Sequence, residues 1–349
     1  MDKTVQTQAK EEIATLNPIF DGFELPLRAT LYPVGFPLEI VTNSEEVIEA
    51  ARESWGAFRK SFSTPAIRLR IGVLDGNSEE CSPIPLCRAQ RNLLINVADA
   101  ENFTVCDLHQ GFAFGWVTRA TAKNRAFLRY YFLEGTVWCL QQDMYLTPIH
   151  GACVQLGERG VLLCGDSGAG KSSLALACAL RGWTFLSDDS SSLVRGRKDL
   201  IVVGNPYQMR FRESALSLFP ELRTQCLARR ITGEMAIELA TADLPQISTA
   251  TECPVDHIVF LNRKDPGPPR LLSYPKEKAL KWFEQVVRFG DPTSREAQRT
   301  SLRQLVKAEV LEMRYRELNW AVDQLELLVR DGARPRHAPS PAESLQDNA

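Results

Sequence analysis

At 349 residues and 44% hydrophobic composition, the chain is long enough to bury a full core and to form two domains. A formal net charge of −2 gives no bulk electrostatic pull toward nucleic acid or a membrane surface, so neither is expected as a partner. Nine cysteines without a C-x-x-C pair read as reduced core thiols, and Cys81 and Cys87, with no histidine nearby, make a poor zinc signal.

Residues 1–16 contain acids and lack the apolar stretch of a secretory leader, so a flexible N-terminus and a cytoplasmic protein are expected. No uninterrupted apolar run approaches the ~20 residues of a membrane span. From "FELPLRATLYP" onward, short apolar alternations broken by Pro and Gly predict strands. "SEEVIEAARESWGAFRKSF" spaces Val47, Ile48, Ala51, Trp55 and Phe58 as one helix face, with Ser44 as its N-cap. "AIRLRIGVL", "NLLINVA", "FTVCDLH" and "FAFGWVT" then read as strands of a small meander. Residues 17–123 are thus expected to form a small α+β domain, and 124–145 a connecting helix.

A catalytic domain is expected over 146–330. In "IHGACVQLGERGVLLCG", apolar runs 152–156 and 161–164 flank the turn-forming "GERG", predicting a β-hairpin. Its second strand feeds "GDSGAGKS", which fits G-x-x-x-x-G-K-S/T over 165–172. In such a loop the backbone N–H groups converge on phosphate oxygens, the lysine neutralises them, and the hydroxyl can ligate Mg²⁺. The candidate phosphate-binding residues are Gly165, Asp166, Ser167, Gly168, Ala169, Gly170, Lys171, Ser172 and Ser173. A helix follows, its N-terminal dipole facing the anion, with Gly182 placed to end it.

"WTFLSDD" predicts a strand ending in Asp188 and Asp189 and returning beside the loop strand. One carboxylate would serve Mg²⁺ and the other accept a hydroxyl proton; spacing does not say which. His150 opens the hairpin and can sit at the loop's mouth, whereas His109, His257 and His337 show no constellation. In "NPYQMRFRES", Arg210 and Arg212 fall on one face of a strand, suited to a transferring phosphoryl group, with Glu213 opposite. "SLVRG", "LIVVG" and "HIVFLNR" read as further strands, "PKEKALKWFEQVVRF" and "LNWAVDQLELLV" as helices, and 331–349 as a disordered tail.

Together, "HGACVQLGERGVLLCGDSGAGKSSLALACALRGWTFLSDD" resembles the catalytic core of HPr kinase/phosphorylase and its relatives, in the spacing of His150, Lys171 and Asp188–Asp189. The segment "MRFRES" stands where HPr kinases carry Glu-Ile-Arg-Gly, and the first 120 residues do not resemble their N-terminal domain. The resemblance implies an α/β fold: a mixed-sheet core akin to phosphoenolpyruvate carboxykinase, not a doubly wound sheet. It implies ATP–Mg²⁺-dependent transfer to a serine hydroxyl, with Lys171 on phosphate, Ser172 and Asp189 on the metal and Asp188 as proton acceptor. HPr kinases tend to form rings, so a homo-oligomer is left open. The expected function is phosphotransfer to a hydroxyl acceptor that is a protein, peptide or small molecule. The alternative is a nucleotide-binding regulatory module without transfer.

Overall fold

In the computed structural model the described residues are 24–331, except 77–78, 223–224, 226, 266 and 288–289. The expected flexible N-terminus and disordered tail lie outside them. Contacts divide the chain into two units, the first running to Val137 and the second from Trp138, but the second also takes Val34–Phe36 and Ala57–Phe62.

The first unit is built on strands β1 (Leu27–Leu31), β2 (Leu38–Thr42), β3 (Ile67–Leu74), β4 (Leu86–Gln90), β5 (Leu93–Val97), β6 (Phe103–Asp107) and β7 (Phe112–Thr118). They form one sheet in the order β1-β2-β3-β7-β6-β5-β4. Only β4 to β7 make an antiparallel meander; β3 runs parallel to both β2 and β7. Strand β4 was not expected, because all five of its residues are exposed and leave no apolar alternation to read.

Helix α1 (Glu45–Trp55) buries Val47, Ile48, Ala51 and Trp55 as its periodicity requires. Ser44 stands at the N-cap position, yet its hydroxyl donates to Glu46 and accepts no helix N–H. The helix stops three residues short of Phe58, which belongs with the second unit and is buried there against the ring edge of Tyr207. A short helix, α2 (Arg119–Lys123), follows β7.

The expected connecting helix over 124–145 is three pieces: a turn at Arg125–Phe127, a π-helical stretch at Leu128–Glu134, and α3 (Gly135–Met144). Gly135 donates to Tyr130 O, the i→i+5 bond of a wide turn, at a residue with poor helix propensity.

The second unit contains β8 (Leu146–Leu156), β9 (Arg159–Cys164), β10 (Thr184–Ser187), β11 (Ser190–Val194), β12 (Ile201–Gly204), β16 (Ser248–Thr249), β17 (Glu252–Pro254), β18 (His257–Asn262), β19 (Arg270–Ser273) and β20 (Glu309–Arg314). The sheet order is β17-β12-β11-β8-β9-β18-β20-β19, with β10 on β8 and β16. It is mixed: β9, β18 and β20 are parallel, and the hairpin β8–β9 is antiparallel.

Side chains alternate across this sheet. Val161, Leu163, Val259, Leu261, Leu311 and Met313 pack with helices α4 (Lys171–Leu180) and α7 (Leu318–Asp331). Their neighbours Leu162, Cys164, Ile258, Phe260 and Val310 pack on the other face, with α5 (Lys276–Glu284) and α6 (Pro292–Leu305). A sheet covered on both faces explains why "VLLC" and "IVFL" are continuous apolar runs. Each such buried side chain contributes roughly 1.5–3 kcal/mol.

Helix α6 went unread because its buried positions include Ser294 and Gln298, so it has no apolar stripe. Its start signal was nevertheless present: Asp291 accepts from Ser294 N, and Pro292 is the first helical residue. A separate three-stranded sheet, order β13-β15-β14, is made by β13 (Gln208–Phe211), β14 (Leu227–Arg229) and β15 (Met235–Ala240). Among the described residues no helix is long and apolar enough to cross a membrane, and the eight described cysteines are free thiols.

Candidate active site

Three parallel strands, β9, β18 and β20, end at the same edge, where ligands of such sheets are commonly held. The glycine-rich loop 165–170 leaves β9 there, Arg263 follows β18, and Tyr315 follows β20. Tyr315 donates its hydroxyl to Ala169 O at 3.2 Å, and the Arg263 guanidinium stacks 5.6 Å above the Tyr315 ring. Burial holds the Tyr315 phenol well above its ordinary range, so it remains a donor. Gly170 sits at φ 99°, and a Cβ there would meet the Tyr315 hydroxyl at 2.6 Å. Only glycine fits the last turn before the helix.

Helix α4 begins at Lys171 and ends in the expected way: Gly182 is left-handed at φ 89°, and Trp183 N donates to Cys178 O at 3.1 Å. Lys171 is buried, and its ammonium donates to Gly165 O at 2.9 Å. His150 Nε2 lies 3.1 Å from the same nitrogen. Asp189 Oδ1 is 3.6 Å from Lys171 Nζ and 3.4 Å from His150 Nδ1.

Burial lowers the His150 pKa, with the Lys171 charge acting in the same direction against Asp189, so at neutral pH the ring is uncharged. The tautomer that serves both neighbours has Nδ1–H donating to Asp189 and Nε2 accepting from Lys171. Register explains the meeting: His150 of β8 pairs with Ser190 of β11, the residue after Asp189.

Asp188 has different company. Its Oδ2 accepts from the Arg210 backbone N–H at 2.6 Å, and its own carbonyl faces the Ser172 hydroxyl at 3.4 Å. Burial raises its pKa to about 6, with the Arg210 hydrogen bond and charge opposing the rise. Strand β10, which carries the acid pair to the site, pairs with β8 and β16 and not with the loop strand β9 as expected.

Arg210 and Arg212, expected on one strand face, take different partners. Arg212, one residue beyond β13, donates to the Ser167 hydroxyl at 2.7 Å. Arg210 instead pairs with Glu238 at 3.1 Å and donates to Gln208. Glu213 begins a 3-10 turn and also lines the cleft, whose volume is about 790 Å³. Arg263 and Tyr315 were not singled out in the sequence. Their only signal is position, directly after the apolar strands β18 and β20 that run parallel to the loop strand.

The donors near the loop are hard oxygens, the Ser172 hydroxyl and the Asp189 carboxylate. No cluster of three or more His, Cys, Asp or Glu able to hold a metal occurs among the described residues. That set fits Mg²⁺, which takes most of its ligands from phosphate and water, better than an ion needing a full protein cage.

Residues 144–212 match the family described as HPr Serine kinase C-terminal domain. HPr kinase/phosphorylase of Bacillus cereus (strain B4264) is 38% identical over 60 residues, 17% of this chain and 19% of that protein. The protein of the same description from Bacillus anthracis (strain A0248) gives the same values, 38% over 60 residues. The match thus spans about a fifth of the length of these relatives, 19%. Among solved structures, the HPr(Ser) kinase/phosphatase from Coxiella burnetii aligns at 17% identity over 53% of this chain and 89% of that one, with a TM-score of 0.31.

Proposed function

We propose that this chain, whose residues 144–212 match the HPr Serine kinase C-terminal domain, is an ATP- and Mg²⁺-dependent phosphotransferase acting on a hydroxyl acceptor. One observation carries the reading beyond binding. Asp188 is a carboxylate whose pKa of about 6 lies near neutrality, fixed by a backbone N–H beside the phosphate-type loop. Nucleotide binding alone has no use for a tuned base, whereas transfer needs one poised close to working pH.

In the proposed reaction Lys171 and the loop amides hold the β- and γ-phosphates. Asp188 takes the proton of the acceptor hydroxyl, whose oxygen bonds to the γ-phosphorus as the bond to the β–γ bridging oxygen breaks and ADP leaves. Neutral His150 keeps the Lys171 ammonium and Asp189 in register, and Arg212 brings a guanidinium to the γ-phosphate side of the loop. Ser172 and Asp189 would hold Mg²⁺, which when bound neutralises phosphate charge.

The direct test incubates the protein with γ-labelled ATP, Mg²⁺ and fractionated acceptor pools. Label transferred by the parent protein and not by Lys171→Ala is the expected outcome. ATP binding without transfer to any pool would leave only the nucleotide-binding module.

A further inference from the structure

The cleft has two chemically unlike ends. Near the loop lie Lys171, Arg212 and Arg263, and the two guanidiniums make no ion pair among the described residues. The opposite wall, formed by β13–β15 and the turn after Arg212, sets exposed apolar side chains among paired charges. Of the four large apolar side chains exposed among the described residues of the second unit, Leu218 (43%) and Met235 (51%) both line this cleft; Trp138 and Leu327 do not.

The charges on that wall mostly cancel. Arg230 lies 3.5 Å from Glu234 and 3.6 Å from Glu238, and Arg210 lies 3.1 Å from Glu238. What remains is Glu213, which makes no ion pair among the described residues; it would repel an anion and accept from a neutral donor. An exposed thioether and a leucine in a site otherwise built of charge mark a place for a flat apolar group.

Resting on the phosphotransferase reading, we infer that the nucleotide lies along the cleft with its base seated between Leu218 and Met235. The ligand class is a nucleoside triphosphate: polyanionic at the loop, with a neutral aromatic ring at the β15 wall. A cleft of about 790 Å³ holds such a molecule and leaves Asp188, which also lines it, open to an acceptor.

The experiment measures binding of two probes to the full chain by calorimetry with Mg²⁺ present: ATP, and inorganic tripolyphosphate, which has the same phosphates and no base. The parent protein should prefer ATP by about tenfold or more, the effect expected for burying a base on two apolar side chains. Leu218→Ala/Met235→Ala should lose most of that preference while binding tripolyphosphate within about twofold of the parent, which also shows that the variant is folded. Equal affinity of the parent for both probes overturns the base seat and leaves the phosphate cradle standing. Retention of the ATP preference by the double variant overturns it too, and assigns the apolar wall to the acceptor. Binding of neither probe removes the phosphotransferase reading along with it.

Discussion

Asp188 and Asp189 are neighbours in the chain, but they belong to two different sides of the site. Asp189 faces the loop side, exposed and close to a buried ammonium and an imidazole. Asp188 faces the β13 side, sunk in the protein and held by one amide, where charge costs more. Two identical side chains are thus given separate tasks by their surroundings: one suits a cation, the other a proton.

The largest blow to this division should come from the loop side. Lys171→Ala removes the charge that the loop closes around and should weaken ATP binding by on the order of 100-fold, as titration calorimetry would report. Next, Asp188→Asn should bind ATP as the parent does while transferring phosphate about 10² to 10⁴ times more slowly. Asp189→Asn should do the reverse in part, raising the Mg²⁺ requirement before it affects the acid limb of the rate. If both variants behaved alike, the two sides would not be distinct.

The pH dependence sharpens the same contrast. Transfer should rise with slope one as pH approaches about 6 and then level off, since Asp188 must lose its proton to act as base. For stability the sign is opposite. The folded pKa lies above the ordinary carboxylate value, so the folded state favours the protonated form; that stability is complete below the ordinary pKa and is lost as pH rises through about 6. Asp188→Asn removes this loss, and its melting midpoint at pH 7.5 should exceed the parent's by on the order of 3 °C.

The arginines give the smallest effects and the finest test. Arg212→Ala, which severs the contact to Ser167, should slow transfer roughly tenfold. Arg210→Ala loses only an exposed pair with Glu238 and keeps the backbone N–H on Asp188, so less than about 1 kcal/mol of stability and little activity should change.

Local chemistry made much of this readable. The hairpin turn, the glycine loop, Lys171 and the Gly182 stop each announce themselves within a few residues. The unlike roles of the two aspartates do not, because they depend on an amide 22 positions away and on a histidine 39 positions before Asp189. Arg263 and Tyr315 reach the site only because β18 and β20 run parallel to β9, a pairing that no short window of sequence contains. Phe58 teaches a related lesson. Helical spacing correctly marked it as buried, but tertiary contact and not the helix supplies its partner. In α6 the cap was legible and the missing apolar stripe outweighed it.

The early segments 34–36 and 57–62 lend Phe36 and Phe62 to the core around Leu146, Val194 and Val203. As the polypeptide leaves the ribosome, those two rings emerge well over a hundred positions ahead of Val194 and Val203, and they must wait uncovered until the later strands are made. The second unit is therefore discontinuous in sequence, drawing two rings of its own core from early segments. A recombinant fragment starting at Trp138 would lack both aromatic plugs and expose their seat to water.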